Sequence, residues 1–409
     1  VLDMVERAAA NKSPVERFVT RFAAWYTPAV FGFALLTFLL PPLLLGGAWR
    51  DWFYRSLVVL MVSCPCALVI SVPLGYFGGI GAASRRGILV KGGSVLDAMG
   101  EITAVAFDKT GTLTEGVFKV TGLRPAEGAG EEELREAARV AEALSGHPLA
   151  RSIREAFGAV PPHGIKASEN AGKGVCTLRD GETFYAGRAS WLRENGVEGV
   201  SEAPDDSPAT RVYVGRGTRF LGTLTVSDVI RPDAARAVRA LHNRGIRSYL
   251  LTGDRRDTAE HVAAELGMDN FRAELLPEMK VAALRELAGE GLSAFVGDGV
   301  NDAPLLASAH VGIAMGALGS DVAIEAADAV ILNDAPSRVA ELAEIARRTR
   351  SIVRQNIAAS LGTKLLFLGL GLVGFIGLWE AIFADVGVAL LAVLNAARAG
   401  KGTAEQGSV

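Results

Sequence analysis

Three cysteines in 409 residues are too few for a disulfide framework. A formal net charge of −3 lacks the basic excess of a nucleic-acid-binding chain, so no nucleic-acid partner is expected. The opening stretch VLDMVERAAANKSPVERFV lacks the apolar centre of a signal peptide and reads as an amphipathic helix. What the chain has in quantity is apolar material. Half of its residues are hydrophobic and its mean hydropathy is +0.28. The length suits about three modules rather than one.

The apolar residues are unevenly placed. Tyr26 to Trp49 and Ser56 to Ser84 carry no charge, and each is longer than the ~20 residues that cross a bilayer. Ile357 to Trp379 is apolar except for Lys364, and Ala381 to Ala397 except for Asp385. Two spans, a long polar middle and two further spans are therefore expected, with a lipid bilayer as the partner. Two long uncharged runs argue against the alternative, core helices of a large soluble protein. Arg17, Arg21, Arg85, Arg86, Lys91, Arg398 and Lys401 flank the side that holds the polar middle, which is expected to be cytoplasmic.

The polar middle alternates strand and helix signals. ITAVAFD (102–108), RSYLLTGD (247–254) and LSAFVGDGVND (292–302) each read as a buried strand running into glycine or aspartate. VGIAMG (311–316) and DAVIL (328–332) read as further strands, with helical stretches at 231–245 and 257–268. Such alternation predicts a parallel sheet covered by helices, with ligands beyond the carboxyl ends of its strands. Asp108, Asp254, Asp298 and Asp302 are all expected there. Carboxylates gathered together repel, and a cation is the natural reason to gather them. An insert at about 119–224 has its own composition and suits a separate small α/β domain.

FDKTGTLTEG (107–116) follows a strand with an acid, a lysine, hydroxyl residues and a glycine turn that can point N–H groups at an anion. An aspartate so placed can attack a phosphoryl group and become an aspartyl phosphate. Phosphoryl transfer then needs magnesium and a fixed cation. Asp298 suits the first need, Lys280 in LLPEMK the second, and Thr252 in LLTGD can hold a phosphate oxygen. Two residues after Asp108, where an acid would activate water, stands Thr110.

The signatures DKTGT, TGD and GDGVNDAP (297–304), in this order, resemble P-type ATPases over nearly the whole chain, and CPC with GHP resembles their heavy-metal-transporting branch. The resemblance implies a multidomain protein. It would combine an α-helical transmembrane bundle, an α/β phosphorylation domain of haloacid-dehalogenase-like fold and an inserted α/β nucleotide-binding domain. The expected boundaries are a membrane region at 1–100 with spans at about 26–48 and 55–84, and a phosphorylation domain at 101–118 and 225–338. The nucleotide domain would be 119–224, the second membrane region 339–400 and a tail 401–409. The resemblance further implies ATP and Mg2+ as cofactors, with Asp108 phosphorylated and Mg2+ held by Asp108, Asp298 and the Thr110 carbonyl. Lys280, Thr252, Gly253, Asp254, Asn301 and Asp302 would shape the phosphate site, and His147, Gly172 and Gly174 would lie near the nucleotide. The chain departs from the family at Gly146, often Glu, and at Arg188, often Asn. The family's actuator domain carries a Thr-Gly-Glu loop that occurs nowhere in these residues. The chain is therefore expected to be the C-terminal portion of a multi-pass pump of the plasma (inner) membrane, without that domain and the earlier helices.

SCPCALVISVP (63–73) places Cys64 and Cys66 around a proline inside a span. On a regular helix residues two apart point about 200° away from each other. Pro65 removes an N–H and should strip the Met61 carbonyl of its bond, and local unwinding can then bring the sulfurs together. The alternative is two inert small hydrophobes beside a kink. Paired thiolates favour soft ions, copper(I) and zinc among them. Residues 351–398 hold no Met, Tyr or Cys, but they hold Lys364 and Asp385, charges that are costly inside a span. A carboxylate adds an oxygen ligand suited to a divalent ion, and this pattern resembles the zinc/cadmium/lead subgroup. The expected transport ligands are Cys64, Cys66 and Asp385, with Lys364 as counterion. The alternatives are a copper(I)/silver pump and a membrane-tethered phosphatase of the same fold.

Overall fold

A computed structural model of the chain describes residues 14–161, 163–170, 173–201, 209–287, 291–298, 302–316 and 321–401. In chain order the helices are α1 (Pro14–Leu45), α2 (Trp49–Val62), α3 (Cys66–Ser84), α4 (Gly93–Glu101), α5 (Glu131–Ala141), α6 (Pro148–Phe157) and α7 (Ala189–Glu194). They continue with α8 (Ala234–His242), α9 (Arg256–Leu266), α10 (Pro277–Leu287), α11 (Ala303–Ser308), α12 (Asp321–Ala326), α13 (Ser337–Val373) and α14 (Leu378–Gly400). The strands are β1 (Ile88–Val90), β2 (Ile102–Asp108), β3 (Thr114–Pro125), β4 (Ile165–Asn170), β5 (Gly174–Arg179), β6 (Glu182–Gly187) and β7 (Thr210–Arg216). After them come β8 (Arg219–Ile230), β9 (Arg247–Leu251), β10 (Asn270–Arg272), β11 (Leu292–Gly297), β12 (Val311–Met315) and β13 (Ala329–Ile331).

Backbone contacts divide the chain into two units. The first comprises Val1–Ala106, Ala240–Arg247 and Val281–Val409. Four of its segments are long and apolar enough to cross a membrane: Ala24–Leu44, Trp49–Ser84, Ser337–Val373 and Leu378–Gly400. Large apolar side chains such as Trp25, Leu365, Trp379 and Phe383 are exposed on them, each more than 70 % accessible. A soluble surface does not leave such a belt bare, whereas acyl chains cover it. The second segment differs from the single span expected at 55–84: it breaks at Ser63–Pro65 into α2 and α3. Proline cannot donate the backbone bond that would carry one helix into the next. α3 is central, packing against α1, α13 and α14 as well as α4.

The strands of this unit run in the order β1-β13-β12-β11-β2. β11, β12 and β13 pair in parallel, with Val296 opposite Ile313 and Ile313 opposite Ala329. β1 closes the edge antiparallel, with Leu89 opposite Val330. Fully buried β12 and β13 explain their unbroken apolar sequences, since both faces of a parallel sheet are covered. The sequence reading did not anticipate β1 or β10, each of three residues.

The second unit comprises Phe107–Arg239 and Ser248–Lys280. Its six-stranded sheet, β3-β8-β7-β6-β5-β4, is antiparallel throughout. One face packs Val214, Leu224 and Phe184 against Leu134, Ala138 and Ile153 of α5 and α6. The other packs Tyr213 and Phe220 against Trp191 of α7. β3 and β8 form its edge ladder over 12 residues each, so the sheet begins at Thr114 and ends at Ile230. β9 and β10 pair in parallel in the same unit.

Candidate functional site

β2 ends at Asp108, buried at 7 % exposure, and the chain then leaves the strand direction in a wide turn, Lys109–Leu113. Thr110 is extended there and Gly111 takes φ 73°, a left-handed conformation in which a Cβ would be strained. Lys280, the fourth residue of α10 and also buried, places its ammonium 2.6 Å from Asp108 Oδ1. Lys109 pairs with Asp254, and the Asp254 amide donates to Thr252 Oγ1 at 3.1 Å. Thus the expected Asp108, Lys280, Thr252 and Asp254 sit within one unit, with Gly253 in the same turn as Thr252.

Asp228 escaped the sequence reading. It lies near the end of β8, accepts from the Thr114 hydroxyl and from Gly116 N (3.1 Å), and so ties the departing strand β3 to the returning one. Burial pushes its carboxyl up, against the lowering pull of the Thr114 hydroxyl and the Lys109 charge. Arg231, just past β8, donates to the Gly111 carbonyl at 3.3 Å. The acid and arginine closing the insert were the available signal.

In the first unit, Asp298 follows β11 directly. Asp302 is buried and starts α11, its carbonyl accepting from Leu305 N and Leu306 N. Gly297 meets the Asp302 carboxylate closely, a Cβ there lying 3.4 Å from Oδ2. Asn301 and Gly172 lie outside the described residues.

A cleft of about 290 Å³ opens in the six-stranded domain, lined among others by Glu142, Ser145, His147, Lys173, Gly174 and Arg188. His147 caps α6: its Nδ1 accepts from Leu149 N at 3.2 Å, which leaves Nε2 as the free ring nitrogen. Gly146 beside it is exposed, and Arg188 contributes to the wall. Glu142 was missed by sequence reasoning, because one more glutamate in an acidic helix carries no signal. It is buried at 6 % exposure, Oε2 has no partner among the described residues, and burial pushes its carboxyl up to about 7. Below about pH 7 the carboxyl is mostly protonated and offers one O–H donor and one acceptor into the cleft.

The third constellation lies between the long helices. Among the described residues, Cys64, Cys66 and Asp385 are the one group of sulfur and carboxylate atoms with metal-binding proximity, all within 4.8 Å of one another. The two sulfurs are joined as a disulfide. Metal ligation calls for the reduced pair, since the thiolate is the ligand. Lys364 places its ammonium 2.8 Å from Asp385 Oδ1, and both side chains are nearly buried. The same ammonium bonds the Val62 carbonyl at 3.0 Å and the Cys64 carbonyl. Where the helix breaks, the carbonyls of Val62 and Cys64 both accept from the lysine.

A buried aspartate ending a sheet strand beside a fixed lysine is an arrangement suited to phosphoryl transfer. A model of the haloacid dehalogenase-like hydrolases matches residues 102–310, and the chain belongs to that family. The resemblance to heavy-metal P-type ATPases holds over almost all of it. A zinc-transporting ATPase of Synechocystis sp. is 49 % identical over 98 % of this chain and 56 % of its own length. A cadmium, zinc and cobalt-transporting ATPase of Bacillus subtilis is 48 % identical over 97 % of this chain and 57 % of its own. A crystal structure of a zinc-transporting PIB-type ATPase superposes with a TM-score of 0.82 at 40 % identity, over 98 % of this chain and 66 % of that one. The chain spans a little over half the length of these curated relatives.

Proposed function

We propose that the chain is the phosphorylation and transport part of an ATP-driven exporter of a divalent metal ion (zinc, cadmium or lead), seated in the plasma membrane. The observation that carries this reading is the convergence of Cys64, Cys66 and Asp385, with Lys364 on the carboxylate, in a chain that also holds the buried Asp108–Lys280 pair. A soluble-substrate phosphatase has no use for thiols, a lysine and an acid inside membrane helices.

ATP enters the cleft at Glu142, His147 and Gly174, where the Glu142 carboxyl in its protonated form suits the alternating donor and acceptor edge of adenine. An Asp108 carboxylate oxygen attacks the γ-phosphorus, the bond to the β-phosphate oxygen breaks, and ADP leaves with that electron pair. Lys280 neutralises the transferring charge, and Thr252, Gly253 and Asp254 hold the phosphoryl oxygens; the family resemblance assigns Asp302 and Asn301 to the same role. The donor set of Asp108, Asp298 and the Thr110 carbonyl is all hard oxygen and fits magnesium, which supplies further neutralisation when bound. Thr110 supplies no base for water, so the acyl phosphate persists long enough to be coupled to transport.

In the cage, two thiolates and one carboxylate total three negative charges, and a divalent ion leaves one uncompensated. Lys364 neutralises it, and pairs with Asp385 when the ion has gone. The absence of Met, Tyr and Cys from 351–398 and the presence of a carboxylate favour a divalent ion over copper(I).

The deciding experiment is phosphorylation of the full-length protein from γ-labelled ATP with zinc, cadmium, lead and copper(I) in parallel. Label that depends on the divalent ions supports the reading. Label that responds to copper(I) alone, or phosphate release indifferent to every metal, overturns it.

A further inference from the structure

The helix that begins at Cys66 makes a buried polar contact that neither metal ligation nor phosphoryl transfer uses. Tyr76, about three turns beyond Cys66 on α3, is 1 % exposed. Its hydroxyl donates to Asp97 Oδ1 at 2.7 Å. Asp97 is buried in α4, and Arg350 of α13 brings Nε to 3.8 Å from the same oxygen. Arg350 also pairs with Glu101, the last residue of α4. The next residue begins β2, the strand that ends at Asp108.

Three elements meet at this point. α3 carries Cys66, α13 carries Lys364 about four turns beyond Arg350, and α4 is fused without a linker to the strand of the nucleophile. α3 and α13 cannot slide apart freely. A Cβ at Gly79 would lie 2.4 Å from Thr349 Oγ1, so the helices touch at backbone distance and shift as packed bodies. Other links in the same region are exposed: Arg354 and Glu101 are 66 % and 44 % accessible, and such pairs contribute little. The Tyr76–Asp97 bond is buried and charge-assisted, the kind that resists replacement by water.

We propose that Tyr76, Asp97 and Arg350 are positioning residues that transmit occupancy of the thiol and carboxylate cage to the phosphorylation strand. When Lys364 changes partner, α3 and α13 move, the tie carries α4 with them, and β2 follows because no loop intervenes. The inference rests on the transport reading and goes beyond it by naming the mechanical link.

The test uses full-length protein with Tyr76→Phe, which keeps the ring and removes only the donor, and with Asp97→Asn. Three quantities are read: phosphorylation by inorganic phosphate without metal, equilibrium zinc affinity, and zinc stimulation of phosphorylation from ATP. The first two stay at the wild-type value, reporting an intact phosphorylation domain and cage. Zinc stimulation falls about tenfold, inside the range of energetic coupling between sites. The double variant loses less than the sum of the two single losses, because Tyr76 and Asp97 share one contact, which Asp97→Asn weakens by removing the charge along with the Arg350 pair. Wild-type zinc stimulation in either variant, additive losses, or a loss confined to zinc affinity would each overturn the tie. A wild-type protein without zinc stimulation removes the transport reading and the tie together, and the wild type alone identifies that failure.

Discussion

Lys364 bridges two parts of the membrane region that the chain separates by some three hundred residues: its ammonium holds Asp385 at 2.8 Å and the Val62 carbonyl at 3.0 Å. One cation therefore stabilises both a buried carboxylate and the break in the thiol-bearing segment. Replacing Lys364 by Ala leaves Asp385 unpaired and those carbonyls without a donor, a loss of about 3 kcal/mol or more for a broken buried pair. The full-length Lys364→Ala protein is expected to keep bound zinc longer and to lose most metal-stimulated turnover. Unchanged zinc-stimulated ATPase activity would refute the counterion role.

Asp385→Ala removes the one oxygen donor of the cage. Zinc stimulation of the ATPase is expected to vanish while phosphorylation by inorganic phosphate survives. A normal zinc response would take Asp385 out of the ligand set.

Metal ligation by Cys64 and Cys66 needs both as thiolates, so the cage binds metal only in its reduced form. Equilibrium zinc binding to the full-length protein should appear on adding a thiol reductant and disappear on oxidation. Cys64→Ser should abolish it under both conditions. Equal zinc binding by the oxidised and reduced forms would exclude sulfur ligation.

Asp108→Asn keeps the shape of the side chain and removes the nucleophile. No acid-stable label from γ-labelled ATP is expected, while nucleotide binding persists. Label that survives this substitution places the phosphorylated residue elsewhere.

Glu142 makes stability depend on pH. Its carboxyl ionises near 4.5 when unfolded and near 7 when folded. Between these values the folded chain keeps a proton that the unfolded chain has released, so stability declines as pH rises through that window. The total is on the order of 3 kcal/mol. Glu142→Gln should flatten the slope of unfolding free energy between about pH 4.5 and pH 7. A variant with the wild-type slope would show that another group is responsible.

Short-range patterns in the sequence carry the architecture. Uncharged runs longer than a bilayer is thick specify spans, and the candidate spans Ala24–Leu44 and Trp49–Ser84 overlap the two uncharged stretches, the second broken at Ser63–Pro65. Apolar strands ending in Asp or Gly specify a covered sheet, and β2, β9 and β11 lie where ITAVAFD, RSYLL and LSAFVG stand. DKTGT marks its own turn, because Gly111 needs a positive φ within five residues of the acid it follows. Such features are settled by neighbours in the chain, so the sequence by itself determined them.

Partnerships across long separations belong to the tertiary structure. No spacing rule says that Lys280 reaches Asp108, that Lys364 takes the carbonyls of Val62 and Cys64, or that Tyr76 finds Asp97. Glu142 has no motif, and only burial in the packed cleft turns an ordinary glutamate into an acid that keeps its proton near neutrality. The physical reason is common to all of them. Removing a polar or charged group from water is tolerable only against a partner or with loss of its charge, and which group arrives is decided by how the helices and sheets close over it.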